Sequence, residues 1–202
     1  MAVLAAATNT IAEGEVMQLA NIGNCEMSEA YYREVIRCKT ALLFEAAAHT
    51  GALLATSQSD DAQGVEALRC FGLHFGLAYQ LIDDWLDYAG DSKLMGKNVG
   101  DDLAEGKLTL PLIRALKSAS ASEQQVIREA IRDQSCDRIE HIYAIMRGCG
   151  ALDYTRQAAF DEGNHAIAQL DVLPTNAYVE AMRALPQYSL SLLSKNLASL
   201  TR

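Results

Sequence analysis

Gln80-Leu81-Ile82-Asp83-Asp84-Trp85-Leu86-Asp87 is the stretch that says most about how this chain folds, because its residues separate cleanly into two kinds. On a helix that advances 100° per residue, the glutamine and the three aspartates fall within an arc of roughly 100°. The two leucines, the isoleucine and the tryptophan cover the other side. The stretch therefore predicts a helix with one acidic face and one face in the core.

The acidic face predicts a metal site. Three carboxylates within residues 83–87 repel one another, which suggests that a cation neutralises them. Magnesium prefers oxygen ligands and commonly bridges one or two carboxylates to a substrate phosphate. We therefore expect Asp83, Asp84 and Asp87 to bind magnesium together with a diphosphate. The alternative is an acidic stripe that is merely solvated, as on many amphipathic helices.

The flanking sequence favours the metal site over a solvated stripe. Residues 71–79 are almost wholly apolar, so the acidic helix continues a buried one, and a buried charge needs a partner. Residues 90–107 predict a flexible loop in which Lys97 and Lys107 lie beside glycines, where an ammonium group can reach a phosphate. This loop is not a P-loop, because Asn98 replaces the required serine or threonine and no strand precedes it.

The composition predicts one all-α domain. The chain has 202 residues, of which 50% are hydrophobic, and only three prolines. Long alanine- and leucine-rich stretches show helical spacing, and there is little alternation of the kind that a sheet needs. Residues 57–61 predict a turn, and Pro174 and Pro186 are expected to punctuate the tail. The predicted helices span 1–21, 28–54 with at most a mild interruption at Gly51, 61–89, 108–119, 123–134, 137–149 and 151–170.

Charge and composition exclude several classes of function. A net charge of −9 and a pI near 4.9 argue against nucleic acid or an anionic membrane as the main partner. No apolar stretch is long enough to predict a membrane-spanning segment. Five cysteines without a CxxC pair predict reduced thiols in a cytoplasmic protein. The histidines lack the spacing of a zinc site and are expected to be structural or on the surface: His49, His74, His141 and His165.

Four blocks of sequence carry a resemblance to a known family. They are IAEGEVMQL at 11–19, KTALLFE at 39–45, QLIDDWLDY at 80–88 and GKNVGDDLAEGK at 96–107. In this order they resemble the trans-isoprenyl diphosphate (polyprenyl) synthases, and in particular the bacterial octaprenyl-type long-chain enzymes. The resemblance covers essentially the whole chain and implies an isoprenoid-synthase-type helical bundle.

The resemblance implies an activity and a role for individual residues. In this family an allylic diphosphate ionises with the help of magnesium, and isopentenyl diphosphate attacks the resulting cation. The implied product here is a long, octaprenyl-like polyprenyl diphosphate for quinone biosynthesis. Asp83, Asp84 and Lys39 are the implied catalytic residues, although without the resemblance Lys39 would be interpreted as a surface lysine. The implied metal ligands are Asp83, Asp84 and Asp87, and the implied diphosphate contacts are Lys39, Thr40, Gln80, Lys97 and Lys107. Glu13 and Gln18 are expected to form a buried polar pair that supports the site.

The chain also departs from the family pattern. Family members carry a second aspartate-rich motif upstream of the block that begins here at Ile11, and this chain contains no such residues. Its other acidic pairs, Asp60-Asp61 and Asp101-Asp102, are predicted to lie in a turn and a loop. The chain thus resembles the C-terminal two-thirds of a synthase. We expect residues 1–202 to form a single, N-terminally incomplete domain that lacks the first helices of the full fold.

Two classes of function follow, with a third less favoured. The first is a prenyltransferase that acts alone or is completed by another chain. The second is a non-catalytic truncated or partner subunit of a prenyl synthase. A class I terpene cyclase is disfavoured, because the second metal motif of cyclases is absent. Since missing helices would expose apolar surface, we expect a homodimer or pairing with another chain.

Overall fold

The structure is a computed structural model that describes residues 2–55, 61–89 and 99–200, with side chains from 3 to 194 within those ranges. Every regular element in these ranges is helical, which confirms the all-α prediction. The elements in chain order are α1 (Ala2–Leu19), α2 (Glu29–Ile36), a π-helical turn (Arg37–Ala41), α3 (Leu42–Ala55), α4 (Ala62–Ala89), α5 (Asp101–Ala104), α6 (Leu110–Ser118), α7 (Ala121–Asp133), α8 (Ile139–Gly148), α9 (Ala151–Gln169), a 3-10 turn (Leu170–Val172) and α10 (Ala177–Leu200).

Helix α4 lies at the centre of the bundle. It packs along α3 and α9 and also contacts α10. The apolar side of residues 80–87 is buried as predicted: Leu81 is 0% exposed and Trp85 is 2% exposed. These side chains join one core with apolar residues from α6, α7 and α8, such as Leu112 and Ile127. Because the apolar side is anchored in the core, the direction of the acidic side of the same stretch is also set.

Two glycines let α4 approach its neighbours at backbone distance. A Cβ atom on Gly72 would lie 2.5 Å from the carbonyl oxygen of Phe44, and one on Gly76 would lie 2.6 Å from the Cα atom of Ala41. Any larger residue would push the helices apart, because the obstructing atoms belong to the backbone. This close approach seats the π-helical turn directly against the N-terminal side of the acidic stretch.

The helix predicted over 28–54 exists but is interrupted at a different place. Ser28 caps its N-terminus as expected. The interruption is the π-helical turn Arg37–Ala41 rather than Gly51, which lies inside regular α3. Gly14 of α1 packs on this turn, and a Cβ atom there would lie 2.6 Å from the backbone nitrogen of Lys39. Single π-helical turns are frequent at functional sites, and this one carries Lys39 and Thr40.

The segment predicted as a flexible loop over 90–107 is only partly a loop. Residues 90–98, and residues 56–60 of the predicted turn, lie outside the described residues. Beyond them Asp101–Ala104 forms one helical turn, so the prediction that Asp101-Asp102 lie in a loop is wrong. Gly100 permits this turn by adopting a left-handed φ of 87°. Its backbone N–H donates to the carbonyl of Asp87 at 2.8 Å, which ties the turn to the end of α4.

Pro186 does not end a helix, contrary to the prediction for the tail. Helix α10 continues through it from Ala177 to Leu200. A proline inside a helix costs about 3 kcal/mol. Buried contacts on both sides offset this cost, because Val179 is 7% exposed and Leu193 is 0% exposed. Among the helices described, none combines the length and apolar character that crossing a lipid bilayer requires.

The contact between α3 and α4 generates a stability prediction. Gly72→Ala should destabilise the protein by about 1–3 kcal/mol, because the new methyl group meets backbone atoms of α3. Gly51→Ala is the matched control, since no atom lies within 4 Å of its Cβ position. It should stabilise the protein by up to about 1 kcal/mol through helix propensity alone. Urea unfolding of both variants measures the difference, and equal stabilities would disprove the close approach.

Candidate active site

A cavity of about 220 Å³ opens beside the C-terminal half of α4, between the π-helical turn and the segment that follows α5. Most of the residues that the sequence predicted for a diphosphate site meet here. The cavity is lined by Lys39, Thr40, Gln80, Asp83, Asp84 and Lys107. Asp87 lies one turn further along α4. The predicted contact Lys97 lies outside the described residues.

Asp84 is the buried centre of the site and is 2% exposed. The hydroxyl of Tyr32 donates to its Oδ2 at 2.5 Å, and Nε2 of Gln80 donates to its Oδ1 at 2.7 Å. Burial, followed by the nearby charge of Asp102, raises the pKa of Asp84 to about 8, although both hydrogen bonds act in the opposite direction. Both carboxylate oxygens are therefore held in fixed positions by neighbouring side chains.

A chain of hydrogen bonds connects the π-helical turn to this carboxylate. The hydroxyl of Thr40 donates to Oε1 of Gln80 at 2.7 Å. This bond leaves the amide nitrogen of Gln80 facing Asp84. Because the π-helical turn places the hydroxyl of Thr40 at the amide oxygen of Gln80, the amide nitrogen of Gln80 is the group that donates to Asp84.

Sequence reasoning missed two residues of the site, Tyr32 and Asp102. Asp102 lines the cavity, and its backbone N–H donates to Oδ2 of Asp87 at 3.3 Å. The signal was present, because Asp101-Asp102 stands in one of the four recognised blocks, but the pair was assigned to a loop. No sequence signal marks Tyr32, since a tyrosine on the buried face of a helix looks like an ordinary core residue.

Four carboxylates therefore share this region: Asp83, Asp84, Asp87 and Asp102. Burial and the charge of Asp102 raise the pKa of Asp87 to about 7. Burial also raises the pKa of Asp102, although Lys107 opposes the shift. Burial is the leading cause of all three shifts, so the site disfavours the charged carboxylates unless a cation joins them.

The two described lysines of the cavity lie at its rim and already contact polar groups. Nζ of Lys39 donates to Oε1 of Gln18 at 2.5 Å and pairs with Glu15 at 2.8 Å. Nζ of Lys107 lies 3.4 Å from Asp102 and also pairs with Glu105. Glu15 thus holds the ammonium group of Lys39, and Asp102 and Glu105 hold that of Lys107.

The expectation of a buried pair of Glu13 and Gln18 is half wrong. Glu13 is exposed and accepts a hydrogen bond from Asn9 at 2.8 Å. On α1 it points away from the cavity, whereas Gln18 lines the cavity and holds Lys39. The support for the lysine therefore comes from Gln18 and Glu15, not from Glu13.

The donor set fits a hard divalent cation. Carboxylate oxygens are the ligands that magnesium and calcium prefer, and these four acids lie near one another. A cation held by these acids would relieve their repulsion. The hydrogen bonds that Asp84 accepts from Tyr32 and Gln80 would fix the position of its carboxylate in this group.

The raised pKa values predict how the stability of the metal-free protein depends on pH. The folded state favours protonated Asp84, whose pKa lies near 8 rather than the usual value of about 3.9, so its contribution is complete in acid and is lost as the pH rises through 8. Asp87 acts in the same direction around pH 7. Between pH 6 and pH 9, with a chelator present, the melting temperature should fall, and Asp84→Asn should reduce this fall.

Thermal unfolding measures the effect. For a chain of this size a difference of about 1 kcal/mol corresponds to about 2–4 °C, and the fall in wild type should exceed that in Asp84→Asn by at least this amount. Asp133→Asn, at an exposed position at the end of α7, is the control and should behave like wild type. An equal fall in all three proteins would contradict the buried charge at Asp84.

Comparison with protein families gives a direct match. The family model described as polyprenyl synthetase matches residues 1–146. Octaprenyl diphosphate synthase from Escherichia coli is 46% identical over 182 residues, which cover 89% of this chain and 55% of that protein. All-trans-nonaprenyl-diphosphate synthase (geranyl-diphosphate specific) from Rhodobacter capsulatus is 40% identical over 183 residues, with 91% of this chain and 55% of that protein covered. The chain thus spans about half the length of these curated relatives.

The solved structures agree with the fold. A polyprenyl synthase from Caulobacter crescentus, solved with calcium and isoprenyl diphosphate, superposes with a TM-score of 0.86 and 42% identity. The match covers 94% of this chain and 57% of that one. A decaprenyl diphosphate synthase from Rhodobacter capsulatus superposes with a TM-score of 0.85 and 38% identity over 95% of this chain and 58% of that one. The predicted isoprenoid-synthase-type bundle is confirmed, and the chain belongs to the polyprenyl synthetase family.

Proposed function

We propose that this chain provides the diphosphate-binding side of a prenyltransferase site that condenses isopentenyl diphosphate with an allylic diphosphate. The observation that supports this best is that three acidic residues and two lysines line one cavity beside α4, with Asp87 one helical turn further along. The identity to octaprenyl and nonaprenyl diphosphate synthases supports a long, octaprenyl-like product that serves quinone biosynthesis. The net charge of −9 and the free cysteines support a cytoplasmic protein that does not bind nucleic acid.

The reaction breaks the allylic carbon–oxygen bond, and the diphosphate leaves with the electron pair. The double bond of isopentenyl diphosphate then attacks the allylic cation to form a carbon–carbon bond, and a proton leaves. Magnesium, when bound, stabilises the negative charge that develops on the leaving diphosphate. In this chain Asp83, Asp84 and Asp87, with the addition of Asp102, would hold that ion.

The lysines and the polar side chains would bind and orient the leaving diphosphate. Lys39 and Lys107 both line the cavity, so that their ammonium groups can contact phosphate oxygens. Thr40 and Gln80 line the same cavity and would supply hydrogen bonds. Lys97 remains a proposed contact on the sequence alone. The acids that now contact both lysines would exchange these contacts for phosphate oxygens when the substrate binds.

The second candidate function is a non-catalytic or partner subunit of a prenyl synthase. Exposed apolar residues on α1 and α3 support pairing, either as a homodimer or with another chain. They are Leu4, Val16, Leu19, Leu43 and Leu54.

Binding of pyrophosphate tests the site apart from catalysis. In a calorimetric titration with magnesium, Asp83→Ala should abolish magnesium-dependent binding, because it removes a metal ligand. Lys107→Ala should weaken binding by about 10–100-fold, the worth of a hydrogen bond to a charged group. Lys117→Ala, at an exposed position on α6, is the matched control and should bind as wild type does. Unchanged affinity in Asp83→Ala would refute the assignment of the site.

A condensation assay separates the two candidate functions. The chain is incubated with farnesyl diphosphate, isopentenyl diphosphate and magnesium, and the products are resolved by mass. Elongated product that disappears in Asp83→Ala supports the prenyltransferase. A folded protein that binds pyrophosphate but gives no product supports the non-catalytic subunit.

A further inference from the structure

A second group of ligating side chains lies outside the cavity described above. It consists of His74 on α4 with Glu162 and His165 on α9, and none of the three lines that cavity. One ligand atom from each residue can be chosen so that all three lie within 4.8 Å of one another. Nδ1 of His74 and Oε2 of Glu162 are 2.8 Å apart, and the two imidazole rings are 5.4 Å apart.

Spacing along the sequence does not predict this cluster, because spacing rules find only ligands that are close along the chain. Glu162 and His165 are three residues apart and therefore share one face of α9. His74 comes from a distant part of the sequence and joins them because α4 and α9 pack along each other. The earlier expectation that the histidines are only structural or superficial was based on spacing within single segments.

The two helices beneath the cluster are closely packed. Phe71, one turn before His74, is 4% exposed and packs with Ala166 and Leu170, which are both 0% exposed. On its other side α9 packs on α10, because a Cβ atom on Gly163 would lie 2.7 Å from Cδ1 of Leu190. This packing sets the spacing of the Cα atoms that carry the ligands. Such preorganisation lowers the cost of binding an ion.

The charges around the cluster select the kind of ligand. Nη1 of Arg33 lies 3.3 Å from Oε1 of Glu162, while Nε of Arg33 pairs with Glu29 at 3.1 Å. Arg33 thus orients the carboxylate and leaves Oε2 facing His74, as outer partners of metal ligands commonly do. The positive charge of Arg33 disfavours a cation that is held by charge alone, such as magnesium. Imidazole nitrogens bind zinc and other late transition metals more strongly than they bind magnesium.

We propose that His74, Glu162 and His165 form a site for a divalent transition metal ion, with zinc as the ion that suits two imidazoles and one carboxylate. Tetrahedral zinc, with bonds of about 2.0–2.1 Å, places its ligand atoms roughly 3.3 Å apart. Rotation of side chains would bring the observed separations to this value, since His165 is exposed. Water would take the fourth position.

Zinc titration by calorimetry tests the proposal, with magnesium in excess so that zinc does not report on the aspartates of the cavity. Wild type should bind one zinc ion that His165→Ala binds at least about 10-fold more weakly, since even an outer partner of a ligand is worth that much. His141→Ala removes an exposed histidine on α8 and is the matched control. Glu162→Gln keeps the shape of the side chain and should also weaken binding.

Cobalt absorption distinguishes this site from the five free cysteines. Cobalt bound by nitrogen and oxygen should show ligand-field bands without a thiolate charge-transfer band, and His165→Ala should lose these bands. The melting temperature of wild type should rise with zinc, and that of His165→Ala should rise less. The absence of zinc binding, equal binding by His165→Ala and wild type, or a thiolate spectrum would each overturn the proposal.

Discussion

The contact between α4 and the chain that precedes it is the constraint on which the rest of the structure depends. Gly72 and Gly76 bring the backbone of α4 within van der Waals distance of α3 and the π-helical turn. At this distance Thr40 reaches Gln80, which in turn donates to Asp84 one turn along the same helix. The polar network therefore depends on the helix packing, and a side chain inserted between the helices would disturb both.

The site combines buried acids in a way that costs stability. Asp84 has no cationic partner among its hydrogen bonds, and Asp87 and Asp102 repel each other across a short distance. An unpaired buried charge is unfavourable unless a ligand compensates it. The raised pKa values have burial as their first cause and neighbouring acids as a further one. The grouping of buried acids around one cavity is the physical argument that the region is built to receive a cation, rather than to stabilise the fold.

The lysines show why charge alone does not reveal a site. Lys39 and Lys107 both pair with acids, as many surface lysines do, and each would pass for part of an ordinary ion pair. What distinguishes them is that both line the cavity that also contains Asp84. The His74 cluster makes the same point, because its members look unrelated along the chain and meet only through the packing of α4 on α9.

The sequence by itself determined the helical class, the buried and acidic faces of residues 80–87, and the acids of that stretch that line the cavity. The two faces follow from the helical period, which fixes the direction of side chains within one segment. The contacts at Lys39, Thr40 and Gln80 were implied by the resemblance to the polyprenyl synthases. Tertiary structure alone decided the placement of Tyr32 and Asp102, the π-helical turn and the continuation of α10 through Pro186. Each of these depends on contacts between segments that are distant along the chain, and local periodicity carries no information about such contacts.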